Sequence, residues 1–510
     1  MNTHLFKESK VILVNPPALP YWYKTECLGI GYLAGVLRKN RIPFKIIDAY
    51  VFDIDVKSVI KIVEKIRFIS IVGFTIPSFE ALKSSLIVSY EIKQRYPKIH
   101  ICLGGHFPTF WYREIFESFH NLVDSIVISE GEGTFLELAQ KVNNGKDWKD
   151  IKGIAYYDSG KVVFNSGRRF ITDLNSLPFP ERVSTKEIVR QGFPVVINSS
   201  RGCMFNCSFC QIQKFYKLQI GQPYRVRCPE NVADEIEYLT HDFGASTFFF
   251  VDDNFIIGEK GKERAYEIAR EIIKRRLRIN LILQCLPSSV EKDLFEILKE
   301  AGLFLVYLGF ESPIERILKS FRKPISLKDS LRAVKILSAL GIQISPGIIL
   351  YDTETSLDEL KEAIKIFAKN PEMIPFDIHG LTVLRGTDME AYLEKEGRLI
   401  KQGFQLNFFI RDPQVELVRR ILTDYRNQTD YYNLLFLLYK NLLSLNRNAD
   451  LIKKESIKNA IAQVSTLNLF FLETLIDDIK KGSLDNLSNV FAEISKKLSK
   501  IKGELTKWEG

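Results

Sequence analysis

The chain has 510 residues, of which 46% are apolar and 26% charged, and a net charge of +9. Two or three domains with cores of their own fit this length, and the composition excludes a largely disordered, collagen-like or repetitive protein. Lysines and arginines are interspersed with acidic residues and form no long basic tail, so the charge does not indicate a nucleic-acid partner.

The N-terminal residues and the cysteine content indicate where in the cell the protein is located. The N-terminal MNTHLFKESK lacks the apolar core of a signal peptide, and no apolar stretch approaches the ~20 residues needed to span a bilayer. The chain has seven cysteines, three of them in one motif, which does not suggest a disulfide framework. We therefore expect a cytoplasmic protein without a transmembrane segment.

Residues 1–145 alternate short apolar runs with amphipathic stretches. The runs predict five buried strands separated by helices, namely VILVN, FKIID, ISIVGFT, IHICLGG and DSIVIS. Strict alternation of strand and helix is typical of an α/β protein with a parallel, doubly wound, Rossmann-like sheet. Ligands of such sheets bind beyond the carboxyl ends of the strands.

Hydroxyl, glycine and acidic residues follow three of these strands. Each alone is ordinary turn chemistry, but adjacent glycines also admit a flat ligand. Together they are candidate cofactor-binding residues: Thr75, Ser78, Gly104, Gly105, His106, Glu130, Gly131 and Glu132. Two alternatives to a cofactor site at these residues remain open: a nucleotide-binding domain, and a related domain that no longer binds a cofactor. The next segment, 146–190, predicts a hairpin in IAYYDSGKVVFN and then a Pro-rich linker.

The most specific motif is RGCMFNCSFC, which follows the apolar run at 193–197. Cys203, Cys207 and Cys210 have the spacing C-x3-C-x2-C. Three thiolates can hold three irons of a cubane cluster and leave the fourth iron open to a ligand. Phe205 and Phe209 would exclude water around the sulfurs. Zinc and chance spacing are the alternatives, but zinc usually takes a fourth ligand and no second cysteine or histidine pair follows.

At this motif the chain resembles the radical S-adenosylmethionine (SAM) superfamily, whose 4Fe-4S cluster cleaves SAM reductively. The resemblance implies that Cys203, Cys207 and Cys210 are both the metal ligands and the catalytic centre. It also implies SAM as a cofactor and an external electron donor such as flavodoxin or ferredoxin.

Residues 191–400 continue the alternation with six predicted strands, PVVINS, STFFFVDD, INLILQC, LFLVYLGF, IQISPGIIL and FDIHGLTVL. Six such units match the partial (β/α)6 barrel of the radical SAM fold, with active groups at the carboxyl ends of the strands. Residues 401–510 predict an all-helical C-terminal region. Its Leu-rich segment favours core packing over a lipid-facing surface.

Two strand ends of the barrel resemble the SAM-binding motifs of the superfamily. VDDNF implies contacts to the SAM amino group, and LGFES implies contacts to its ribose and carboxylate; the residues are Asp252, Asp253, Asn254, Glu311 and Ser312. Helix capping by Asp253 and Ser312 is the alternative. Relatives often carry a Gly-x-Pro-Gly-Glu-Thr loop after the fifth strand, whereas this chain has ILYDTETSLDEL, which leaves the adenine contacts from Ile349 to Thr353 open.

The N-terminal region resembles the cobalamin-binding domain of cobalamin-dependent radical SAM enzymes. The resemblance rests on the NPP loop with LGIGYLAGVLR, the Gly-Gly-His-x-Pro-Thr segment and the Gly-Glu-Gly segment, and it implies cobalamin as a third cofactor. The loop NPPALPYWYKTECLG contains no histidine, so we expect no histidine on the lower face of the cobalt. One of Tyr21, Trp22 or Tyr23 would cover that face, and His106 would line the nucleotide tail or pack locally.

These resemblances imply a cobalamin-dependent radical SAM methyltransferase that acts on an unactivated carbon of a small molecule or peptide. Cyclisation or ring rearrangement without methyl transfer remains open, and so does a non-catalytic protein that binds cobalamin or SAM. A methylthiotransferase is disfavoured because the additional N-terminal cluster cysteines of that branch are missing.

Overall fold

The computed structural model describes residues 10–18, 24–375, 377–428, 431–443, 450–485 and 487–507. The chain forms two compact units. The first contains residues 10–18, Lys24–Met204 and Gln211–Ala245, and the second contains Phe205–Cys210 and the residues from Ser246 onward. The cysteine motif is therefore divided, with Cys203 in the first unit and Cys207 and Cys210 in the second.

A seven-stranded sheet organises the first unit, in the order β2-β1-β3-β4-β5-β6-β7. Its strands are β1 (Val11–Asn15), β2 (Phe44–Asp48), β3 (Ile71–Thr75), β4 (His100–Gly104), β5 (Ser125–Val127), β6 (Ile154–Asp158) and β7 (Lys161–Phe164). The first five are parallel, which confirms the predicted doubly wound sheet. The predicted hairpin is β6 and β7, and it extends this sheet because β6 pairs antiparallel with β5.

Burial explains why the apolar runs form these strands. The four residues 11–14 of β1 are at most 1% exposed, as expected for a central strand of a parallel sheet covered by helices on both faces. The helices of the first unit are α1 (Leu28–Lys39), α2 (Val56–Glu64), α3 (Phe79–Arg95), α4 (His106–Phe119), α5 (Glu132–Asn143), α6 (Thr185–Arg190), α7 (Ile212–Tyr216) and α8 (Pro229–Phe243). Three short strands complete the unit, β8 (Val195–Ile197), β9 (Ser200–Arg201) and β10 (Arg225–Val226).

The glycines of LGIGYLAGVLR on α1 have a packing role. A Cβ on Gly31 would lie 2.9 Å from the Pro180 Cβ, and a Cβ on Gly35 would lie 2.9 Å from the Phe179 carbonyl oxygen. The Glu181 N–H donates to the Gly31 carbonyl at 3.0 Å. The Pro-rich linker therefore lies directly against α1, and the helix needs glycine at these two positions.

The second unit contains four adjacent parallel strands, β11 (Thr247–Phe250), β12 (Asn280–Cys285), β13 (Leu303–Glu311) and β14 (Gln343–Ile348). The helices that follow or cover them are α9 (Gly258–Lys274), α10 (Lys292–Ala301), α11 (Glu315–Ser320), α12 (Leu327–Ala339), α13 (Leu357–Lys369) and α14 (Asp388–Lys395). Side chains of Phe248, Phe250, Phe295 and Phe310 are at most 1% exposed and fill the core. This arrangement confirms a radical SAM-type parallel sheet.

The predicted sixth barrel strand differs from the prediction. Phe376 lies outside the described residues, and 377–384 contain no regular strand. This segment instead runs beside the end of the fifth strand through two backbone hydrogen bonds, from the Leu350 N–H to the His379 carbonyl and from the Leu381 N–H to the Tyr351 carbonyl, both at 2.9 Å.

The C-terminal region begins with an antiparallel hairpin, β15 (Leu399–Gln402) and β16 (Gln405–Phe408). Four helices follow, α15 (Pro413–Gln428), α16 (Tyr431–Leu443), α17 (Leu451–Lys481) and α18 (Leu487–Thr506). They confirm a helical C-terminal region, but the hairpin shows that the prediction of an all-helical region from residue 401 was wrong at its start. Leu435 and Leu438 on α16 are fully buried, as core packing requires. Among the described helices, none combines the length and the apolar character that crossing a membrane requires.

Candidate functional site

The part of the cysteine loop that belongs to the second unit is held by its own backbone. Ser208, between Cys207 and Cys210, donates its N–H to the Phe321 carbonyl at 3.0 Å, and its carbonyl accepts the Met389 N–H at 3.0 Å. The loop is thus tied to the end of α11 and to the start of α14. Both thiols are consequently presented on a backbone whose position is fixed from two sides.

Aromatic residues of the motif pack beside these thiols. The rings of Phe209 and Phe321 meet edge to face with centroids 4.8 Å apart. Phe205 packs against a buried apolar cluster of Leu286, Leu318 and Ile325. Both phenylalanines are therefore partly buried within the second unit, which is consistent with the predicted exclusion of water from the loop.

Cys207 is buried, and burial raises the pKa of its thiol to about 11, although the charge of Lys323 opposes the shift. A metal ligand must be the thiolate, so ligation at Cys207 releases a proton. All three motif cysteines are free of disulfides.

The first unit presents Cys203 at the end of a two-stranded ribbon. Gly202 has φ +86°, and a Cβ there would lie 2.2 Å from the Pro223 carbonyl oxygen. The ribbon pairs Arg201 on β9 with Arg225 on β10. Gly202 is thus required by the close approach of the ribbon's own backbone.

Glu130 and Glu132, predicted as cofactor-binding residues, hold the arginines of this ribbon. Arg225 donates to both carboxylate oxygens of Glu130 at 2.9 and 2.6 Å, and Arg201 pairs with Glu132 at 2.8 Å. These four side chains are at most 11% exposed. Burial opposes ionisation of Glu132, but the charge of Arg201 keeps the pKa of that carboxyl below its ordinary value. The loop after β5 is thereby fastened to the segment that carries Cys203.

Thr75 and Ser78 lie where the sequence predicted, after β3. The Ser78 hydroxyl accepts the Ala81 N–H at 3.3 Å and caps the start of α3. The Thr75 hydroxyl accepts the Cys27 thiol hydrogen at 3.7 Å, and Thr75 is paired in register with Gly104 on β4. The structure thus brings two predicted cofactor contacts, Thr75 and Gly104, side by side at one sheet edge.

The glycines and histidine after β4 lie at the same edge. Gly105 has φ +102°, and a Cβ there would lie 3.3 Å from the Ile76 carbonyl oxygen. His106 is exposed at the start of α4, and its ring stacks on Phe215 with centroids 4.0 Å apart. Gly131 is the residue that precedes α5.

Ser129 was missed by the sequence reasoning. It lies just after β5 with φ +67°, and its N–H donates to the Thr109 hydroxyl, which in turn donates to the Gly105 carbonyl. The Ser129 hydroxyl is buried and has no hydrogen-bond partner within the described part of the chain. A left-handed backbone at a non-glycine residue with an unsatisfied hydroxyl is typical of a ligand-binding loop. Its position at a strand end was the available signal.

In the second unit, VDDNF follows β11 as predicted. Asp252 is 1% exposed and Asn254 is 4% exposed, whereas Asp253 is partly exposed. The Asn254 side-chain oxygen accepts the Ile256 N–H at 3.4 Å. Its amide nitrogen is buried and finds no acceptor among the described residues. This donor is available to a ligand.

Glu311 and Ser312 end β13 at an irregular position. The pairing with β14 shifts register between Gly309 and Glu311, and Glu311 has φ +60°. Its carboxylate pairs with the Lys323 ammonium at 2.5 Å, and the Ser312 hydroxyl accepts the Ile314 N–H at 3.2 Å in a local turn ahead of α11. The strained backbone places Glu311 at the strand end, where the sequence predicted SAM contacts.

The loop that departs from the relatives, after β14, is built around Asp352. Arg316 donates to both oxygens of this fully buried carboxylate at 3.0 and 3.1 Å, and the Thr355 hydroxyl donates to it at 2.7 Å. The Glu354 N–H also donates to Asp352 at 3.0 Å. Side-chain hydrogen bonds thus fix this loop where relatives carry glycines.

A small cavity beside β1 and β2 is lined by polar residues that sequence reasoning missed. Asp48 pairs in register with Asn15 and accepts its side-chain N–H at 2.8 Å. Glu26, also in the lining, accepts from Arg182 at 2.8 Å. The space holds about one water molecule. The residues that line the cavity hold one another by hydrogen bonds and ion pairs and so support this edge of the sheet.

Comparisons with known proteins agree with this architecture. The model of the Radical SAM superfamily matches residues 197–367, and the model of the B12 binding domain matches residues 21–139. The chain is 29% identical over 419 residues to an uncharacterized methyltransferase of Pyrococcus horikoshii, a match that covers 81% of this chain and 88% of the relative. It is also 29% identical to an anaerobic magnesium-protoporphyrin IX monomethyl ester cyclase of Cereibacter sphaeroides, covering 66% of this chain and 55% of that enzyme.

Among solved structures, the fold resembles the cobalamin-dependent S-adenosylmethionine radical enzyme OxsB with aqua-cobalamin and S-adenosylmethionine bound. The TM-score is 0.76 at 17% identity, over 99% of this chain and 81% of OxsB. The protein described here is thus a radical SAM protein. Because a B12-binding domain precedes its radical SAM domain, it belongs to the cobalamin-dependent radical SAM family. These domains imply a 4Fe-4S cluster, SAM and cobalamin.

The residues present fit these groups. Three free cysteines in one motif match in number the thiolates that a cluster with one open iron would require, although their side chains are not already arranged to hold a metal ion. The unsatisfied Asn254 amide lies at the strand end where the SAM contacts are predicted. The unsatisfied Ser129 hydroxyl and the Gly104–Gly105 turn lie at the sheet edge where cobalamin is predicted.

Proposed function

We propose that this enzyme transfers a methyl group to an unactivated carbon of a small molecule or peptide. The observation that carries the proposal is the relative described as a methyltransferase, because its similarity extends over 81% of this chain and therefore over both domains. An external electron donor such as flavodoxin or ferredoxin would reduce the cluster, and a cytoplasmic location would suit its sensitivity to oxygen.

The proposed assignment of residues follows the two units. Cys203, Cys207 and Cys210 would hold the cluster; Asp252, Asp253, Asn254, Glu311 and Ser312 would bind SAM; Thr75, Gly104, Gly105, His106 and Gly131 would line cobalamin. When bound, these groups supply radical hydrogen abstraction and a transferable methyl group. The Asn254 amide would donate a hydrogen bond to SAM. Ser78, Glu130 and Glu132 would act by shaping the loops, because the Ser78 hydroxyl caps α3 and both carboxylates are engaged by arginines.

Cyclisation without methyl transfer is the second candidate, and the similarity to the Cereibacter sphaeroides cyclase favours it. The two functions differ in what becomes of SAM. A methyltransferase consumes SAM as a methyl donor and forms S-adenosylhomocysteine, whereas a cyclase of this family forms 5'-deoxyadenosine without it.

We expect reconstituted holoenzyme, given reductant and SAM but no substrate, to form S-adenosylhomocysteine in an amount stoichiometric with its bound cobalamin. The reason is that the methyl group must be loaded before a substrate can receive it. Liquid chromatography with mass spectrometry measures both SAM products. With methyl-deuterated SAM, the label should afterwards be found on cobalamin. Formation of 5'-deoxyadenosine alone, with unlabelled cobalamin, would support the cyclase instead.

The cobalt ligand is a further prediction. The loop after β1 contains no histidine, and the proposed Tyr21, Trp22 and Tyr23 cover lies outside the described residues. The His106 ring stacks on the ring of Phe215. Cob(II)alamin bound to the protein should therefore show no nitrogen superhyperfine splitting in its electron paramagnetic resonance spectrum, and His106→Ala should leave the cobalt parameters unchanged. A nitrogen triplet that disappears in this variant would refute the assignment.

A further inference from the structure

Lys323 is a lysine whose side chain is largely shielded from solvent. Its side chain is 10% exposed, and its ammonium pairs with Glu311, which is 13% exposed. Lysine is rarely buried unless its charge is used or compensated. Sequence reasoning gave Lys323 no role, because it lies in a loop after a short helix and belongs to no motif.

The position of Lys323 is fixed relative to two motif cysteines. The carbonyl of Phe321, two residues earlier, accepts the N–H of Ser208 between Cys207 and Cys210. The Ser208 hydroxyl also donates to the Ser320 carbonyl at 2.9 Å. The end of α11 and the cysteine loop are therefore one connected structure. Burial raises the pKa of the Cys207 thiol, and the charge of Lys323 opposes that rise. Burial lowers the pKa of Lys323, but the charges of Glu311, Cys207 and Cys210 outweigh burial and raise it.

Other charges near this loop differ from Lys323 in exposure. The charge of Arg322 also lowers the pKa of the Cys207 thiol. The Arg322 side chain is 47% exposed and pairs with Asp388, so solvent screens its charge. Glu311 is the counter-charge of Lys323 and partly offsets it. Solvent screens Lys323 and Glu311 less than it screens Arg322, because their side chains are less exposed.

We propose that the positive charge of Lys323 raises the reduction potential of the cluster bound by Cys203, Cys207 and Cys210. The negative charge of Glu311 weakens this effect. Reduction adds one negative charge to a cluster already held by thiolates. A buried cation stabilises that added charge more than it stabilises the oxidised form, because the low local dielectric leaves the attraction largely unscreened. The inference requires the cluster but does not depend on methyl transfer.

The test is a redox titration of the anaerobically reconstituted full-length protein, followed by electron paramagnetic resonance. Lys323→Met should make the cluster harder to reduce, with about a tenfold lower ratio of reduced to oxidised cluster at a fixed potential. That corresponds to about 59 mV for a one-electron couple. Lys323→Arg keeps the charge and should restore the potential. Glu311→Gln removes the attenuating charge and should shift the potential in the positive direction.

Lys262→Met is the matched control, because Lys262 is also an ion-paired lysine of the second unit, bound to Glu259 at 2.8 Å and Glu291 at 2.5 Å. It should leave the potential unchanged. An unshifted potential in Lys323→Met at full iron content would overturn the proposal, and so would an equal shift in Lys323→Arg. If Lys323→Met does not retain iron, Glu311→Gln decides: a positive shift supports the proposal, and an unchanged or negative one refutes it.

Discussion

Replacing Cys203, Cys207 and Cys210 together by Ala is expected to abolish iron binding and the paramagnetic signal of the reduced protein. The three thiols are the predicted metal-binding donors of the motif. Among the described residues, neither the motif nor any other group of three or more His, Cys, Asp and Glu side chains is already arranged to hold a metal ion, so the structure offers no second candidate site. Iron analysis and electron paramagnetic resonance after anaerobic reconstitution measure the loss. We expect iron to fall to background rather than by a fraction, because the remaining cysteines are scattered singly.

Cys228→Ser is the matched control for this loss. Cys228 is an exposed cysteine just before α8, and its N–H is hydrogen bonded to Asn175 at 2.8 Å, so the substitution should leave iron content and signal unchanged. Cys102 and Cys285 are buried, and burial raises the pKa of the Cys102 thiol to about 12, which disfavours the thiolate that iron needs. A full cluster in the triple variant, or iron for two clusters in the native protein, would contradict the assignment.

The strands of both sheets were predictable because burial on both faces leaves a nearly continuous apolar run in the sequence. All five predicted strands of the first unit form within two residues of their predicted starts. The predicted sixth strand of the barrel shows the limit of this reasoning. Its apolar run is present, but Gly380 lies under the Tyr351 ring, where a Cβ would be 1.9 Å from a ring carbon. The segment makes two backbone hydrogen bonds beside the end of β14 instead of a regular ladder.

The cysteine motif was predictable because its spacing is local, whereas the partners of the acidic residues are distant in sequence. Glu130 precedes its partner Arg225 by 95 residues, and no pattern near Glu130 reveals that pairing. A carboxylate at a strand end therefore looks the same in sequence whether it binds a ligand or an arginine. Lys323 and Ser129 were missed for the same reason, since only the fold shows what surrounds them.

Replacing Arg182 by Met is expected to destabilise the first unit by about 3–5 kcal/mol near neutral pH. The Arg182 side chain is 2% exposed. Its guanidinium forms ion pairs with the carboxylates of Glu26 at 2.8 Å and Glu235 at 2.7 Å. Glu235 keeps a second partner, Arg227, in the variant. Glu26 keeps only the Thr185 hydroxyl among the contacts that the structure shows for its carboxylate, so its buried charge becomes poorly compensated. The midpoint of urea unfolding, followed by circular dichroism, measures the effect.

The pH dependence of the destabilisation by Arg182→Met tests whether the Glu26 carboxylate causes it. Burial already raises the pKa of Glu26 above 4.5 in the folded protein, despite the charge of Arg182, and losing Arg182 raises it further. A group whose pKa is raised by folding favours the folded state at pH below its unfolded pKa and loses that contribution as pH rises through the folded pKa. The loss of stability in Arg182→Met should therefore be smallest at acid pH and grow towards pH 8.

Two further variants serve as controls. Adding Glu26→Gln to Arg182→Met should recover part of the lost stability. Arg190→Met, which breaks an exposed pair with Glu187, should leave the midpoint unchanged. A deficit that is equal at pH 5 and pH 8, or that Glu26→Gln fails to reduce, would show that lost packing rather than an uncompensated carboxylate causes the destabilisation.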